Sequence, residues 1–252
     1  MSTSGILVID KPRDWTSHDV VAKLRGVFGE KRIGHSGTLD PMATGVLPVF
    51  VGRATRAVEL VCSGDKEYEA EAVFGVTTDT QDTTGTVLQT HPAVVSPGEL
   101  EAALSHFRGK IEQIPPMYSA IKRDGRRLYQ LARKGQIVEV EPRRCRVDDI
   151  SFLGAEGEDT YLLRITCGKG VYIRTLCHDI GQALGCGAHM QTLERVAAGI
   201  FSIEDALTPE QIDELAQEDR LSEALIPLDA PLKHLPAVRV GERSRHAVLN
   251  GN

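Results

Sequence analysis

Short runs that alternate in a period of two are interleaved with isolated helical stretches along the whole chain, and neither βαβ spacing nor a glycine-rich nucleotide turn organises them. That pattern predicts an α+β protein with a mixed, mainly antiparallel central sheet and flanking helices. Residues 6–9 read as a buried strand, and Thr16 or Ser17 caps a helix through about Phe28. Residues 29–43 read as loop, residues 46–51 as a central strand, and residues 66–76 as a half-buried strand that places Tyr68, Ala70, Ala72 and Phe74 on one face. Ser96 caps a helix over residues 97–107, with proline in its first turn. Further strands are expected at 111–114, 137–140 and 161–167, a short basic helix at 127–134, and a helix at 172–184. A final helix is expected at 208–218, followed by an extended passage marked by Pro227, Pro231 and Pro236.

With 252 residues, 41% of them hydrophobic and 25% charged, the chain can bury a sizeable core. The apolar run at 6–9 is too short for a secretory signal and has no basic region before it. No apolar stretch approaches the roughly 18–20 residues of a membrane span, so no membrane partner is expected. Cys62, Cys145, Cys167, Cys177 and Cys186 form an odd set without a CxxC pair, which reads as reduced thiols in a cytoplasmic protein. Cys177 and His178, followed by Cys186 and His189, lack the tight pairing of zinc ligands. No metal and no cofactor is expected.

Net charge is −6, yet its distribution is uneven. Residues 107–146 hold eleven Lys or Arg against four acids, so this segment carries +7 and the remainder −13. A basic block on an acidic body suits a protein that grips phosphates with one element and repels them elsewhere. A solvated charged face is the plainer reading of the same block.

The densest chemical signal spans residues 34–49, which read Gly-His-Ser-Gly-Thr-Leu-Asp-Pro-Met-Ala-Thr-Gly-Val-Leu-Pro-Val. Small residues let the backbone approach something large, and one carboxylate, Asp40, stands where the loop meets a strand. Pro41 disfavours helical backbone at Asp40, so the acid is presented in an extended segment. An Asp-Pro turn alone is common and usually structural.

The whole string, however, resembles the catalytic loop of the TruB family, the uridine-to-pseudouridine isomerases that act on the T-loop of tRNA. Ile9-Asp10-Lys11-Pro12 is similar to that family's amino-terminal signature, and Lys66-Glu67-Tyr68 to its tyrosine motif. Residues 114–120, reading Ile-Pro-Pro-Met-Tyr-Ser-Ala, resemble the entry to its RNA-gripping insertion, and residues 168–175, Gly-Lys-Gly-Val-Tyr-Ile-Arg-Thr, its arginine motif. Gly185-Cys186-Gly187-Ala188-His189, followed by Leu193, completes the order, so the matches cover nearly the whole chain.

The resemblance implies an isomerase that breaks the N-glycosidic bond of uridine 55, turns the flipped uracil and rejoins it through carbon 5. It implies Asp40 as the essential carboxylate and Arg174 as its fixed cation, for burial raises the pKa of an acid that must act ionised. Tyr68 would stack on the base and handle the carbon 5 proton, and His35 would prop open the position vacated by the base. Tyr172 and Leu193 would wall the uracil pocket, and Lys11 would support the loop or meet a phosphate. Read without the family, Tyr68, Tyr172 and Leu193 are ordinary core candidates and His35 an ordinary surface group.

Residues 116–144 would form the clamp over the T-stem-loop, with Lys122, Arg123, Arg126, Arg127, Arg133 and Lys134 on phosphates. The resemblance further implies a monomer working without a guide RNA. Residues 1–236 would be the catalytic domain, and residues 237–252 the start of a carboxy-terminal RNA-binding domain that is truncated or missing. Three rival readings are a guide-dependent ribonucleoprotein synthase, an RNA-refolding module that isomerises nothing, and a retaining glycosidase. The last needs a second, comparably placed acid, which the sequence does not offer.

Overall fold

The computed structural model describes residues 4–250 apart from Cys62, Ser63, Ala120, Asp124, Ile137, His234 and Ala237, and the Lys122 side chain is also outside the description. In chain order, β1 (Gly5–Lys11), α1 (Ser17–Phe28), β2 (Ile33–His35), β3 (Thr44–Val51), α2 (Val58–Val61) and β4 (Lys66–Phe74) make the first half of the frame. A hairpin of β5 (Val76–Thr78) and β6 (Val87–Thr90) leads to α3 (Pro97–Ser105) and β7 (Gly109–Gln113). A second small hairpin, β8 (Lys122–Arg123) and β9 (Arg126–Arg127), precedes α4 (Leu128–Ala132). The chain continues through β10 (Arg143–Ala155), β11 (Thr160–Cys167), α5 (Ile173–Ala183), β12 (Ala188–Ala198), β13 (Phe201–Ser202), α6 (Pro209–Gln217) and α7 (Glu242–Leu249).

The alternating runs pair into one nine-stranded sheet in the order β1-β3-β12-β4-β11-β10-β7, with β2 added to β3 and β13 to β12. Every pairing in it is antiparallel except β12 with β3, where Glu194 faces Thr44 and Arg195 faces Gly45. The expected mainly antiparallel α+β architecture is what forms.

Helix ends follow the capping signals in the sequence. Thr16 caps α1 and exchanges hydrogen bonds with Asp19, and Ser96 does the same for α3 with Glu99, so orphan amides of both first turns are satisfied. Burial follows the strand alternation. Leu7 and Ile9 of β1 pack with Val20, Val21 and Leu24 of α1 and Ile212 of α6, while Ile6 and Val8 pack with Phe50 and Phe201. Leu176, Cys177 and Ile180 of α5 join Phe74, Leu163, Ile165 and Met190, each large aliphatic contributing about 1.5–3 kcal/mol. That packing fixes the first turn of α5 over the middle of the sheet.

The parallel crossing of β3 and β12 depends on Gly45. Its φ is 94°, and a Cβ there would lie 2.4 Å from the Arg195 carbonyl oxygen. Gly45→Ala is therefore expected to destabilise the protein by at least about 2 kcal/mol, read as a lower urea midpoint. An unchanged midpoint would show that the two strands can separate there without cost.

Four expectations fail. Residues 138–140 belong to no strand, Ile137 lies outside the described residues, and the sheet is entered only at Arg143, where β10 meets β7. The loop at 29–43 contains β2, paired to β3. The passage after α6 includes 3-10 turns at Leu221–Ala224 and Ala230–Leu232, and α7, exposed along nearly its whole length, follows the helix expected to be last. Among the described residues no helix is long and apolar enough to cross a membrane.

Candidate active site

Asp40 sits between β2 and β3 in a loop anchored on both sides of the carboxylate. Ser17 Oγ accepts from the Leu39 amide at 2.9 Å and donates to the Leu39 carbonyl at 3.2 Å, holding the chain just before Asp40. Just after it, the Pro41 carbonyl accepts from the Asp14 amide at 2.8 Å and from Lys11 Nζ at 3.2 Å. Lys11 is fully buried and also donates to the carbonyls of Pro12 at 2.8 Å and Trp15 at 2.7 Å. Its three protons thus tie the Asp40 loop, through Pro41, to the connection between β1 and α1, and burial lowers its pKa to about 8. Of the two roles expected for Lys11, support of the loop fits this geometry; contact with a phosphate does not.

Arg174, in the first turn of α5, reaches this loop from the opposite side. Its Nε lies 2.9 Å from Asp40 Oδ2, and its side chain is 5% exposed while that of Asp40 is 38% exposed. A surface ion pair is thereby excluded: the cation is walled in and only the carboxylate opens outward. Nη1 donates to the Thr80 carbonyl at 3.2 Å and lies 3.3 Å from Asp82 Oδ2, and Nη2 donates to the Tyr118 carbonyl at 3.0 Å. The guanidinium fork therefore has one face for Asp40, one for Asp82 and one for the root of the basic insertion.

Asp82 is the deeper acid, and no motif in the sequence points to it. It is 4% exposed, and its Oδ1 accepts from Thr80 Oγ1 at 2.8 Å, from the Thr84 amide at 2.9 Å and from Thr84 Oγ1. Its other oxygen, Oδ2, meets Arg174 Nη1 and braces the guanidinium from a second direction. One cation then serves two acids. Burial pushes the Asp40 pKa up, Arg174 pulls it down, and Asp82 pushes it up again, leaving it above the ordinary aspartate value. The cation limits that rise without cancelling it.

Around the pair, β4 and β12 bring the expected pocket residues onto neighbouring strands. Tyr68 is 8% exposed and Leu193 7%, and both share a hydrophobic cluster with Leu39, Met42 and Ile173. Burial raises the phenol pKa of Tyr68, and the guanidinium of Arg195, directly across the strand pair, opposes that rise. Tyr172 is the residue before α5, two positions from Arg174; Gln113 accepts from its amide at 3.0 Å and donates to its carbonyl at 3.3 Å. His35 lies on β2, half-buried, with Nδ1 buried and without a partner among the described residues, and burial lowers its pKa so that the neutral ring dominates near pH 7.

Residues 25–173 match the family model described as TruB family pseudouridylate synthase, N terminal domain, and residues 174–233 match the tRNA pseudouridylate synthase B C-terminal domain. The chain belongs to the TruB family. It is 45% identical over 251 residues to the tRNA pseudouridine synthase B of Stutzerimonas stutzeri, covering 98% of this chain and 82% of that protein. A second relative of the same name, from Syntrophomonas wolfei, is 45% identical, with 98% and 83% covered. Among solved structures, a Cbf5-Nop10-Gar1 complex matches with a TM-score of 0.77 and 32% identity over 98% of this chain and 67% of that one. An H/ACA RNP bound to a substrate RNA containing 2'-deoxyuridine matches with a TM-score of 0.74 and 30% identity, with the same coverage.

In this TruB chain the boundary between the two family models does not divide the sheet, because β12, from the second, lies between β3 and β4, from the first. The basic block divides instead by pairing. Arg108, Arg144 and Arg146 are engaged by Glu101, Asp149, Glu112, Asp65 and Asp148. Arg123, Arg126, Arg127, Arg133 and Lys134 are exposed and make no ion pair among the described residues. Arg126, Arg133 and Lys134 line an open groove with Tyr129, whose ring lies 5.4 Å from Arg133 Cζ. Lys122 contributes backbone to β8, paired with Arg127, and its side chain lies outside the described residues.

Proposed function

We propose that this chain isomerises uridine 55 in the T-loop of tRNA to pseudouridine, as a cytoplasmic monomer that needs no guide RNA. One observation carries the reading: a half-open Asp40 carboxylate held 2.9 Å from a walled-in guanidinium. Uridine flipped out of the loop brings its anomeric carbon to that carboxylate, and the C1′–N1 bond breaks with its electron pair leaving on uracil. The Asp40 lone pair answers the electron-poor sugar, by bonding C1′ or by taking a ribose proton, and both routes need the acid ionised. Uracil then turns and carbon 5 bonds C1′ as Asp40 gives back what it took, its bond to C1′ breaking in the first route or the ribose proton returning in the second; the carbon 5 proton leaves and N1 ends protonated, so no co-reactant is required. In this reading Tyr68 meets the base and its phenol relays the carbon 5 proton, taking it on oxygen as its own proton passes on, with Leu193 and Tyr172 as walls and His35 beside the vacated position.

Incubation with unmodified tRNA and mapping of the product tests reaction and position together; pseudouridine at position 55 alone is the expected result. The likeness to H/ACA complexes favours one rival, a guide-dependent enzyme. Product that appears only when a guide RNA is added, or only outside the T-loop, would establish that rival.

The unpaired cations around α4 support a phosphate clamp. Replacing Arg126, Arg127, Arg133 and Lys134 together by Ala is expected to weaken tRNA binding and to flatten the log–log salt dependence by about 3. An unchanged salt slope would show that the RNA docks elsewhere.

A further inference from the structure

Arg195 has no exposed surface and, among the described residues, no carboxylate partner. A guanidinium withdrawn from water without a counter-ion is costly, and such a charge persists where it is used. Its Nε donates to the Val46 carbonyl at 2.6 Å and its Nη2 to the Gly37 carbonyl at 3.1 Å, so the fork is fixed by the start of the loop that carries Asp40 and by β3 just beyond it. The third nitrogen, Nη1, lies 3.2 Å from where a Cβ on Gly37 would stand, and the Gly37 φ of 71° also favours glycine there. Tyr68 sits directly opposite Arg195 in the β4–β12 register, which puts both side chains on one face of the sheet.

We propose that Arg195 is a positioning residue of the isomerisation site: loop carbonyls lock its guanidinium, and the guanidinium holds the Tyr68 phenol in the orientation that receives the uracil. The inference rests on the isomerase reading and deepens it. The guanidinium also opposes the rise that burial imposes on the phenol pKa, which lets Tyr68 give up its own proton more readily than an equally buried tyrosine alone. Lysine is not a substitute, because the two carbonyls are met by separate nitrogens of the guanidinium fork, a spread that a single ammonium does not have.

A double-mutant cycle with Tyr68→Phe separates this role from a structural one. Arg195→Met is expected to slow single-turnover pseudouridine formation on the order of 100-fold, with the tRNA dissociation constant within about twofold of wild type. Adding Arg195→Met to Tyr68→Phe is expected to cost no more than about another twofold, because the phenol through which Arg195 acts is already gone. Thermal midpoints are measured alongside, and if Arg195→Met does not fold, Arg195→Lys, which keeps a buried cation, carries the same cycle. Additive losses, or a rate loss that merely follows the loss of folded protein, would return Arg195 to the scaffold and overturn the proposal. Failure of the isomerase reading is distinguishable, since it gives no pseudouridine in any protein, wild type included, and overturns both.

Discussion

Asp40→Asn is expected to lower single-turnover pseudouridine formation by at least about 10⁴-fold while leaving the tRNA dissociation constant within about twofold. Asparagine keeps the shape of the side chain and an oxygen for Arg174, but its neutral amide has neither the charge nor the basicity that the sugar needs. The scaffold does not depend on the lost charge, because Asp82 remains as the counter-ion of Arg174. The direction of the Asp40 pKa strengthens the point. A folded-state pKa above the unfolded one means that the ionised carboxylate costs stability near neutral pH, a cost relieved as pH falls through the folded value. The thermal midpoint of Asp40→Asn at pH 7 is therefore expected to match or exceed that of wild type. For the same reason the acid limb of the wild-type rate profile should lie above the ordinary carboxylate range. Surviving isomerisation would remove Asp40 from its role, and lost binding with an intact fold would make it an RNA contact.

The helices and strands legible in the sequence are those whose signals are local. Caps at Thr16 and Ser96 and the clean alternation of β4 lie within a few residues of the structure they specify. Two of the longest strands were not legible. In β10 the register shifts between Val147 and Asp149 and again between Phe152 and Gly154, so inward and outward positions change places along the strand. In β12 it shifts between Met190 and Thr192 and between Arg195 and Ala197. A period-two search fails on such strands, although both lie inside the sheet.

The site divides in the same way. Asp40 and Arg174 stand in motifs that declare themselves, whereas Asp82 stands in a Gln-Asp-Thr-Thr-Gly turn that reads as surface loop. What makes Asp82 part of the site is a guanidinium 92 residues away, together with two threonines that satisfy its second oxygen. Arg195 is hidden for a related reason: the polar run around it resembles an exposed edge, and only the parallel crossing with β3 encloses it. The positive φ of Gly37 and Gly45, both close to Arg195, is a trace of that enclosure.

Arg174→Ala is expected to abolish turnover by about 10³-fold or more and, unlike Asp40→Asn, to destabilise the fold. Removing the guanidinium strips Asp82 of its cation in a position that is 4% exposed, and an uncompensated buried charge costs about 3–5 kcal/mol. For a chain of this size that corresponds to a thermal midpoint lower by about 10 °C. Asp40 loses its cation as well, so its carboxyl is pushed further up and less of it is ionised at neutral pH. The tRNA dissociation constant should change only a few-fold, because Arg174 meets carboxylates and carbonyls rather than phosphates, and only its bond to the Tyr118 carbonyl touches the root of the clamp. Arg174→Lys tests the geometry apart from the charge: a point cation can restore much of the stability by remaining near Asp82, yet it cannot also supply the 2.9 Å contact to Asp40 through a second nitrogen. Recovered stability without recovered turnover is the expected pair of results. Normal turnover with collapsed affinity in Arg174→Ala would contradict the assignment, since it would place the cation on the RNA backbone and leave the carboxylate to act without it.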